Sequence, residues 1–501
     1  MEKLEKETII TVESLIYEPN RLILSQYGKL QQSISRILFN LLRNNEKINK
    51  NELKKNYLAK YQIKGRLYNS ILSEVESRIQ ALKTQEKNRI TYLETKIEEL
   101  ETEIEKLNKK DKLTHKEKTK LYWLKNKLNN RKQRLNQDRE INAVWGSKSL
   151  QSKQYKNPNK EEWNRERNHL IYSIGSKDET FGNSLFQLIN LNKLRLTLND
   201  NTIKELNLNN KYLHLNVDFN KDKKNYQYLK NAIDKNQALT YRIFERENGK
   251  WYCQISFKLT NECKKQSKAI GVDINYNLIA SCLVKEDGNT QEFIDYKYEL
   301  KDKSKQEIKD QLVEIIHKIV NHAKKENANI IIEKLDLKQK LYENKGTKTN
   351  RKLHLLPYTK FIMLLKSKCV KEGVLLVEIN PAYTSIIGRL KYSLSLGRSV
   401  HSCASYCIGR RGLGKKEKGI PSKLKALLLQ SEEKSTKHHW SKWNKLFKRL
   451  KEVLEIKSLA TYYKVVKRSN IRESLLFHSG GSRSNLNELD FINELRDLSF
   501  T

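Results

Sequence analysis

Lys268-Ala-Ile-Gly-Val-Asp-Ile-Asn275 and Ala328-Asn-Ile-Ile-Ile-Glu333 are the two stretches that decide the fold. Each is a short apolar run that reads as a buried strand. Each delivers one carboxylate, Asp273 or Glu333, at about the point where the strand should end. Two carboxylates projected from neighbouring strand ends can hold divalent metal for phosphoryl transfer. The formal net charge of +39 makes a nucleic acid the natural substrate.

Working outward, the order from Lys268 is strand, strand, helix, strand, helix, with strands centred on Val272, Leu283, Ile331 and Leu376. The helix between Asp302 and Glu326 places Ile308, Leu312, Ile315, Ile316 and Ile319 on one face. Mixed strands with crossover helices indicate an α/β layer. Upstream, Leu194–Leu198, Tyr212–Val217, Leu239–Phe244 and Trp251–Phe257 alternate apolar and polar residues, and Glu247-Asn-Gly-Lys250 marks a hairpin turn. These strands predict a small antiparallel barrel. The alternating segment Thr8–Tyr17 is expected to join it, making the intervening helical block an insertion. Inside that block Leu93, Ile97, Leu100, Ile104 and Leu107 trace a coiled-coil seam. A break at Asn108–Lys112 follows. Thr114 to Glu117 then reads as a capping box, and Leu121, Leu124, Leu128 and Leu135 continue a second, antiparallel helix. The first helix has a Glu-rich outer face and the second a Lys/Arg-rich one. Pairing of the two faces is the plain expectation; the alternative is that the basic helix also tracks a phosphate backbone.

The chain has 501 residues, room for two to four domains. Its 98 Lys+Arg against 59 Asp+Glu exceed what a solvated surface requires. No run is long or apolar enough to span a membrane, and the charged start Met1-Glu-Lys-Leu-Glu-Lys6 is no signal peptide, so a cytoplasmic location is expected. None of the six cysteines sits in a CxxC pair. Cys403 and Cys407, one helical turn apart, pair with His401 on paper, but zinc needs a fourth ligand, so buried thiols in a reducing compartment are expected.

Taken in order, these segments resemble the RuvC-type RNase H fold of the RNA-guided TnpB transposon nucleases, relatives of the type V CRISPR effectors. Asn380-Pro-Ala-Tyr-Thr-Ser385 resembles the family's segment after the next strand. His401-Ser-Cys-Ala-Ser-Tyr-Cys-Ile-Gly-Arg-Arg411 resembles the helix that normally begins with the third catalytic acid. Gly175-Ser-Lys-Asp-Glu-Thr180 and Trp440-Ser-Lys-Trp443 look like segments of a divergent TnpB-related branch. Two departures stand out. Where the family often carries a zinc ribbon, Ile386–Arg398 has no cysteine and reads as a short basic helix-like linker. The third acid falls on His401, and imidazole suits Mn²⁺ better than Mg²⁺, or acts as a general base.

The resemblance implies an α+β multidomain fold. Residues 1–20 and 190–265 would form a wedge-like β-barrel, and 21–189 an inserted helical recognition domain with a hairpin near 80–137. Residues 266–430 would form a RuvC-like RNase H α/β domain, and 431–501 basic helices and a flexible tail. It implies guide RNA and target DNA as partners, held as a heteroduplex in a basic channel. It implies Mg²⁺ or Mn²⁺ at Asp273, Glu333 and His401, with DNA phosphodiester hydrolysis as the reaction. The rival reading is a nuclease-inactive RNA-guided DNA binder acting by occupancy, as a repressor or transposition regulator. Each residue also has a bland reading: Asp273 as a turn cap, Glu333 as a surface partner of Lys334, His401 as the neighbour of a helix N-cap. Asp336 is assigned no role.

Overall fold

The computed structural model describes residues 3–44, 48–137, 139–146, 159–219, 223–246, 248–334, 358–417, 419–420 and 441–453. The chain divides into two compact units, Ile9–Leu259 and Met1–Thr8 with Thr260–Thr501.

The first unit is built on a seven-stranded sheet in the order β2-β6-β7-β1-β5-β4-β3. Its strands are β1 (Lys3–Tyr17), β2 (Leu170–Ser173), β3 (Phe186–Ile189), β4 (Lys193–Thr197), β5 (Tyr212–Val217), β6 (Thr240–Glu245) and β7 (Trp251–Lys264). Pairing is antiparallel wherever a register is defined. The alternation read in the sequence sets the faces: Trp251, Cys253, Ile255 and Phe257 of β7 are buried, as are Ile10, Val12 and Ile16 of β1. The sheet curls towards closure, and Phe186 of β3 stacks on Tyr241 of β6 with centroids 5.0 Å apart.

β2 and β3 come from residues expected in the helical insertion, and this corrects the boundary at 189. The two strands are four residues each, too short for a period-two pattern to stand out. The motif Gly175–Thr180 and the residues after it bridge them. A Cβ on Gly175 would sit 2.3 Å from Leu239 N, so only glycine fits there. Asn183 Nδ2 donates to the carbonyls of Ser173 and Leu239, and its Oδ1 accepts from Leu185 N.

Four helices, α1 (Arg21–Leu42), α2 (Lys50–Tyr61), α3 (Gly65–Asn108) and α4 (His115–Asn136), follow β1. They are not a free-standing insertion. Leu24, Tyr27, Ile34 and Leu38 of α1 and Leu67, Tyr68, Ile71 and Val75 of α3 share one core with the strands. The amphipathic face of α1 is buried in that core. Only the far half of α3 behaves as expected: Leu100, Ile104 and Leu107 pack on Leu124, with Leu121 and Leu128 beside it. The capping box is present, Glu117 N donating to Thr114 Oγ1 and Thr114 N to Glu117 Oε2. Lys120–Glu103 and Lys132–Glu101 ion pairs join the outer faces at 2.6 and 2.7 Å. At such exposure each contributes under about 1 kcal/mol.

The second unit is a five-stranded sheet in the order β10-β9-β8-β11-β12. β8 (Lys268–Ile274), β9 (Leu278–Val284) and β10 (Thr290–Lys297) are antiparallel neighbours. β11 (Ala328–Glu333) runs parallel to β8, and β12 (Leu376–Ile379) parallel to β11. The sequence reading missed β10, whose charged alternate residues hid its pattern. Helices α5 (Lys305–Lys325) and α6 (Tyr358–Glu372) cover one face, where Ile270, Val272, Ile330 and Ile332 meet Leu312, Ile316, Ile319, Phe361 and Leu365. Helix α7 (Val400–Gly412) covers the other. The stretch expected as a short basic helix-like linker follows an α-helix at Thr384–Ile387 that runs into a wider turn at Gly388–Ser393.

Glu417, 2% exposed, ties this end of the unit together. It accepts from Lys391 Nζ at 2.5 Å, Tyr392 OH at 2.6 Å and Arg410 Nε at 2.5 Å, and Trp443 Nε1 donates to its carbonyl. Burial raises its pKa, but the hydrogen bonds from Lys391, Tyr392 and Arg410 outweigh it and hold the carboxyl below its ordinary range. Trp443 of helix α8 (Ser441–Val453) is thus a core residue. Trp440, Asp336 and the C-terminal tail lie outside the described residues.

Deleting Arg89–Arg131 removes a seam with its own small core and leaves the shared core intact. The shortened chain is expected to keep a cooperative thermal transition within a few degrees of the parent. A broad, non-cooperative melt would show that the hairpin holds up the rest.

Candidate functional site

The site starts from two glycines. A Cβ on Gly271 of β8 would lie 2.0 Å from Ser405 O and 2.3 Å from Gly409 N of α7. A Cβ on Gly409 would lie 2.7 Å from Val284 Cγ2. The helix therefore rests directly on the strand backbone, closer than side chains permit. Gly388 adds a third such contact, its absent Cβ 2.8 Å from Ala404 N.

This seating carries the first turn of α7 to the end of β8. Ser399 caps the helix, accepting from Ser402 N at 3.0 Å. His401, in that first turn, brings Nδ1 to 3.3 Å from Asp273 Oδ2. The same oxygen accepts from Asn275 Nδ2 at 2.8 Å. Asp273 is 7% exposed. Its charge is met by the imidazole, the amide and the positive end of the helix.

Glu333 is the last residue of β11. The parallel register pairs Ile332 with Val272, so Glu333 falls in the row of Asp273. Both belong to the face that α7 covers, because Ile332 and Val272 point to the opposite core. Thr384 Oγ1 donates to Glu333 Oε1 and to Pro381 O. Tyr383, at φ 62°, makes the turn that aims Thr384 there. The motif Asn380–Ser385 is therefore a clamp on Glu333.

The row continues on the other side: Asp273 pairs with Ala280, and Ala280 with Asp295 of β10. Asp295 accepts from Ser402 Oγ at 3.0 and 3.1 Å, a second tether on the start of α7. Sequence reasoning missed Asp295 along with its strand. It also missed Tyr358, whose hydroxyl is pushed upward by burial first and then by the charges of Glu333 and Asp273. Arg411 was missed too; burial lowers its pKa, against the opposing pull of Cys407 and Glu333.

The three expected residues are thus only partly united. His401 meets Asp273, and Glu333 shares the row of Asp273. Among the described residues no three His, Cys, Asp or Glu side chains are grouped closely enough to hold one ion. A pair of strand-end carboxylates is donor chemistry for a hard divalent cation. However, the facing nitrogen of His401 is turned to Asp273, and Glu333 is turned to Thr384. As placed, the set does not fit a three-ligand metal centre. All six cysteines are buried and free. Burial pushes the Cys282 and Cys403 thiols up to about 12, which suits packing rather than ligation.

No protein-family profile matches the chain, and no curated protein matches it. Among solved structures, a match is the Cas12i1 R-loop complex after target DNA cleavage. Identity is 11% over 95% of this chain and 53% of that chain, with a TM-score of 0.16. The chain spans about half the length of that protein.

Gly271→Ala is expected to lower stability by about 3 kcal/mol, the upper range for overpacking, because its blocking atoms are backbone, and Gly409→Ala by about 1–2 kcal/mol, because its nearest blocking atom belongs to the Val284 side chain. Gly65→Ala, whose new methyl meets nothing nearer than 3.9 Å, is the matched control. Melting temperatures check this. Unchanged melting at Gly271→Ala would rule out the direct seating of α7.

Proposed function

We propose that the chain is an RNA-guided DNA-binding protein with an RNase H-like nuclease layer of the RuvC type. The observation that carries this reading is the placement of Asp273 and Glu333 in one row at the ends of adjacent parallel strands. A +39 chain supplies the setting. Three antiparallel strands, with two parallel strands added beside the first of them, support the RNase H-like reading. So does a helix bearing His401 at its start, set against the first strand's carboxylate. Guide RNA would read the sequence, and the protein would read backbone and duplex geometry. No helix among the described residues is long and apolar enough to cross a membrane.

A specific observation favours the rival, a binder acting by occupancy. His401 stands where the resemblance places the third acid, and it bonds to Asp273 instead of completing a three-ligand set. One series of variants separates the two. In the nuclease reading, Asp273→Ala and Glu333→Ala each abolish guide-dependent DNA cleavage in Mg²⁺ or Mn²⁺ and leave DNA binding largely intact. His401→Asp restores a carboxylate beside the other two and raises Mg²⁺-dependent cleavage. Cleavage by neither the parent nor His401→Asp, with guided binding retained, establishes the occupancy reading.

The purified protein is expected to carry host RNA, and its affinity for nucleic acid to fall steeply with salt, since many phosphate contacts release counterions. A preparation without nucleic-acid absorbance and without extractable RNA would remove the RNA-guided reading in both forms.

A further inference from the structure

The outer helix of the hairpin carries a surface that its pairing with α3 does not use. Leu121, Leu124 and Leu128 of α4 face the seam. Away from it, Tyr122 and Trp123 are 62% and 65% exposed. Their rings meet edge to face, with centroids 5.8 Å apart. Lys118 and Lys125 lie one helical turn to either side of Tyr122, and Lys120 and Lys127 do the same for Trp123. Lys120 is paired with Glu103. Lys118, Lys125 and Lys127 are exposed and have no carboxylate partner among the described residues. Over its whole length α4 carries eight Lys and Arg against one Glu.

We propose that this face stacks an unpaired nucleobase against Tyr122 and Trp123, with Lys118, Lys125 and Lys127 on the adjoining phosphates. Exposed rings in a basic setting are the elements of single-strand binding: every base offers a π-face, and the lysines follow the backbone. A second copy of the chain fits poorly, because two such basic faces repel. A lipid surface fits poorly too. The rings are flanked by Thr119, Asn126, Asn129 and Asn130, so no continuous apolar stripe exists to enter a bilayer. A base paired within a duplex has its faces covered by its neighbours, which restricts the surface to unpaired strands. The proposal rests on the hairpin alone and stands whether or not the chain is a nuclease.

The test uses the full chain, freed of bound nucleic acid at high salt. Binding is read by fluorescence anisotropy on labelled oligouridylate and oligothymidylate of about 12 nucleotides, and on a blunt duplex of equal length. Tyr122→Ala/Trp123→Ala is expected to weaken single-strand binding about tenfold or more and duplex binding less than about twofold. Tyr122→Phe/Trp123→Phe keeps most of the parent affinity. A larger loss on oligouridylate identifies RNA as the strand, and a larger loss on oligothymidylate identifies DNA. On the unsubstituted chain, photocross-links from 5-iodouridine or 5-iododeoxyuridine strands map to Tyr122 or Trp123. Unchanged single-strand affinity in the alanine variant overturns the proposal, as does an equal loss on the duplex. Cross-links confined to other segments overturn it independently of how the variants fold. A change in self-association with oligonucleotide affinity unchanged overturns it in favour of a second copy.

Discussion

The backbone contact between α7 and β8 is the constraint on which the site depends. Gly271 meets the main chain of Ser405 and Gly409 directly, so the axis of α7 is fixed over β8 by main-chain atoms that cannot rotate away, with Val284 packed on Gly409 beside them. The first turn of the helix then has one place to go, the end of β8. His401 reaches Asp273 and Ser402 reaches Asp295 because of that seating. A methyl group at Gly271 would have to push the backbone of α7 off β8, and both contacts depend on that seating. The chemistry of the site thus rests on two residues that have no chemistry of their own.

The carboxylates are held differently, and the difference is informative. Asp273 is buried under the helix and meets an imidazole and an amide. Glu333 is clamped by a threonine from the turn after β12. Asp295 is tied to a serine. Asp273 is met by His401 and Asn275, Glu333 by Thr384, and Asp295 by Ser402, so each acid in the row has a neutral or weakly basic neighbour. The strong ion cluster lies elsewhere, at Glu417, where Lys391 and Arg410 meet one buried carboxylate and fasten the far end of α7. Removing one partner from such a cluster costs about 3–5 kcal/mol, since the remaining charges stay buried. The two ends of α7 therefore have separate duties: the basic end anchors, and the end bearing His401 presents.

The hairpin follows the same division. Its inner half shares the core of the first unit, and its outer half has only a narrow leucine seam. Ion pairs between its helices use some of the lysines of α4 and leave others on the surface, where they determine what the helix can attract. Local sequence settles that balance, because helical spacing alone assigns each residue to the seam or to water.

The sequence by itself determined the strands with strong alternation, the amphipathic helix between β10 and β11, the hairpin with its capping box, and the two strand-end carboxylates. Those signals are local: period, cap and turn chemistry act between residues a few positions apart. Only the tertiary structure decided that α1 and α3 share a core with the sheet, and that the Gly175–Thr180 motif closes a turn between β2 and β3. The same holds for Asp295, which joins the row through a strand too charged to recognise. The structure alone also set His401 Nδ1 against Asp273 Oδ2. These outcomes depend on which surfaces meet across tens to more than a hundred residues of chain, and no short-range pattern encodes that. Gly271 and Gly409 show the limit most clearly: in the sequence each is one small residue in an apolar run, and their meaning exists only where the two backbones touch.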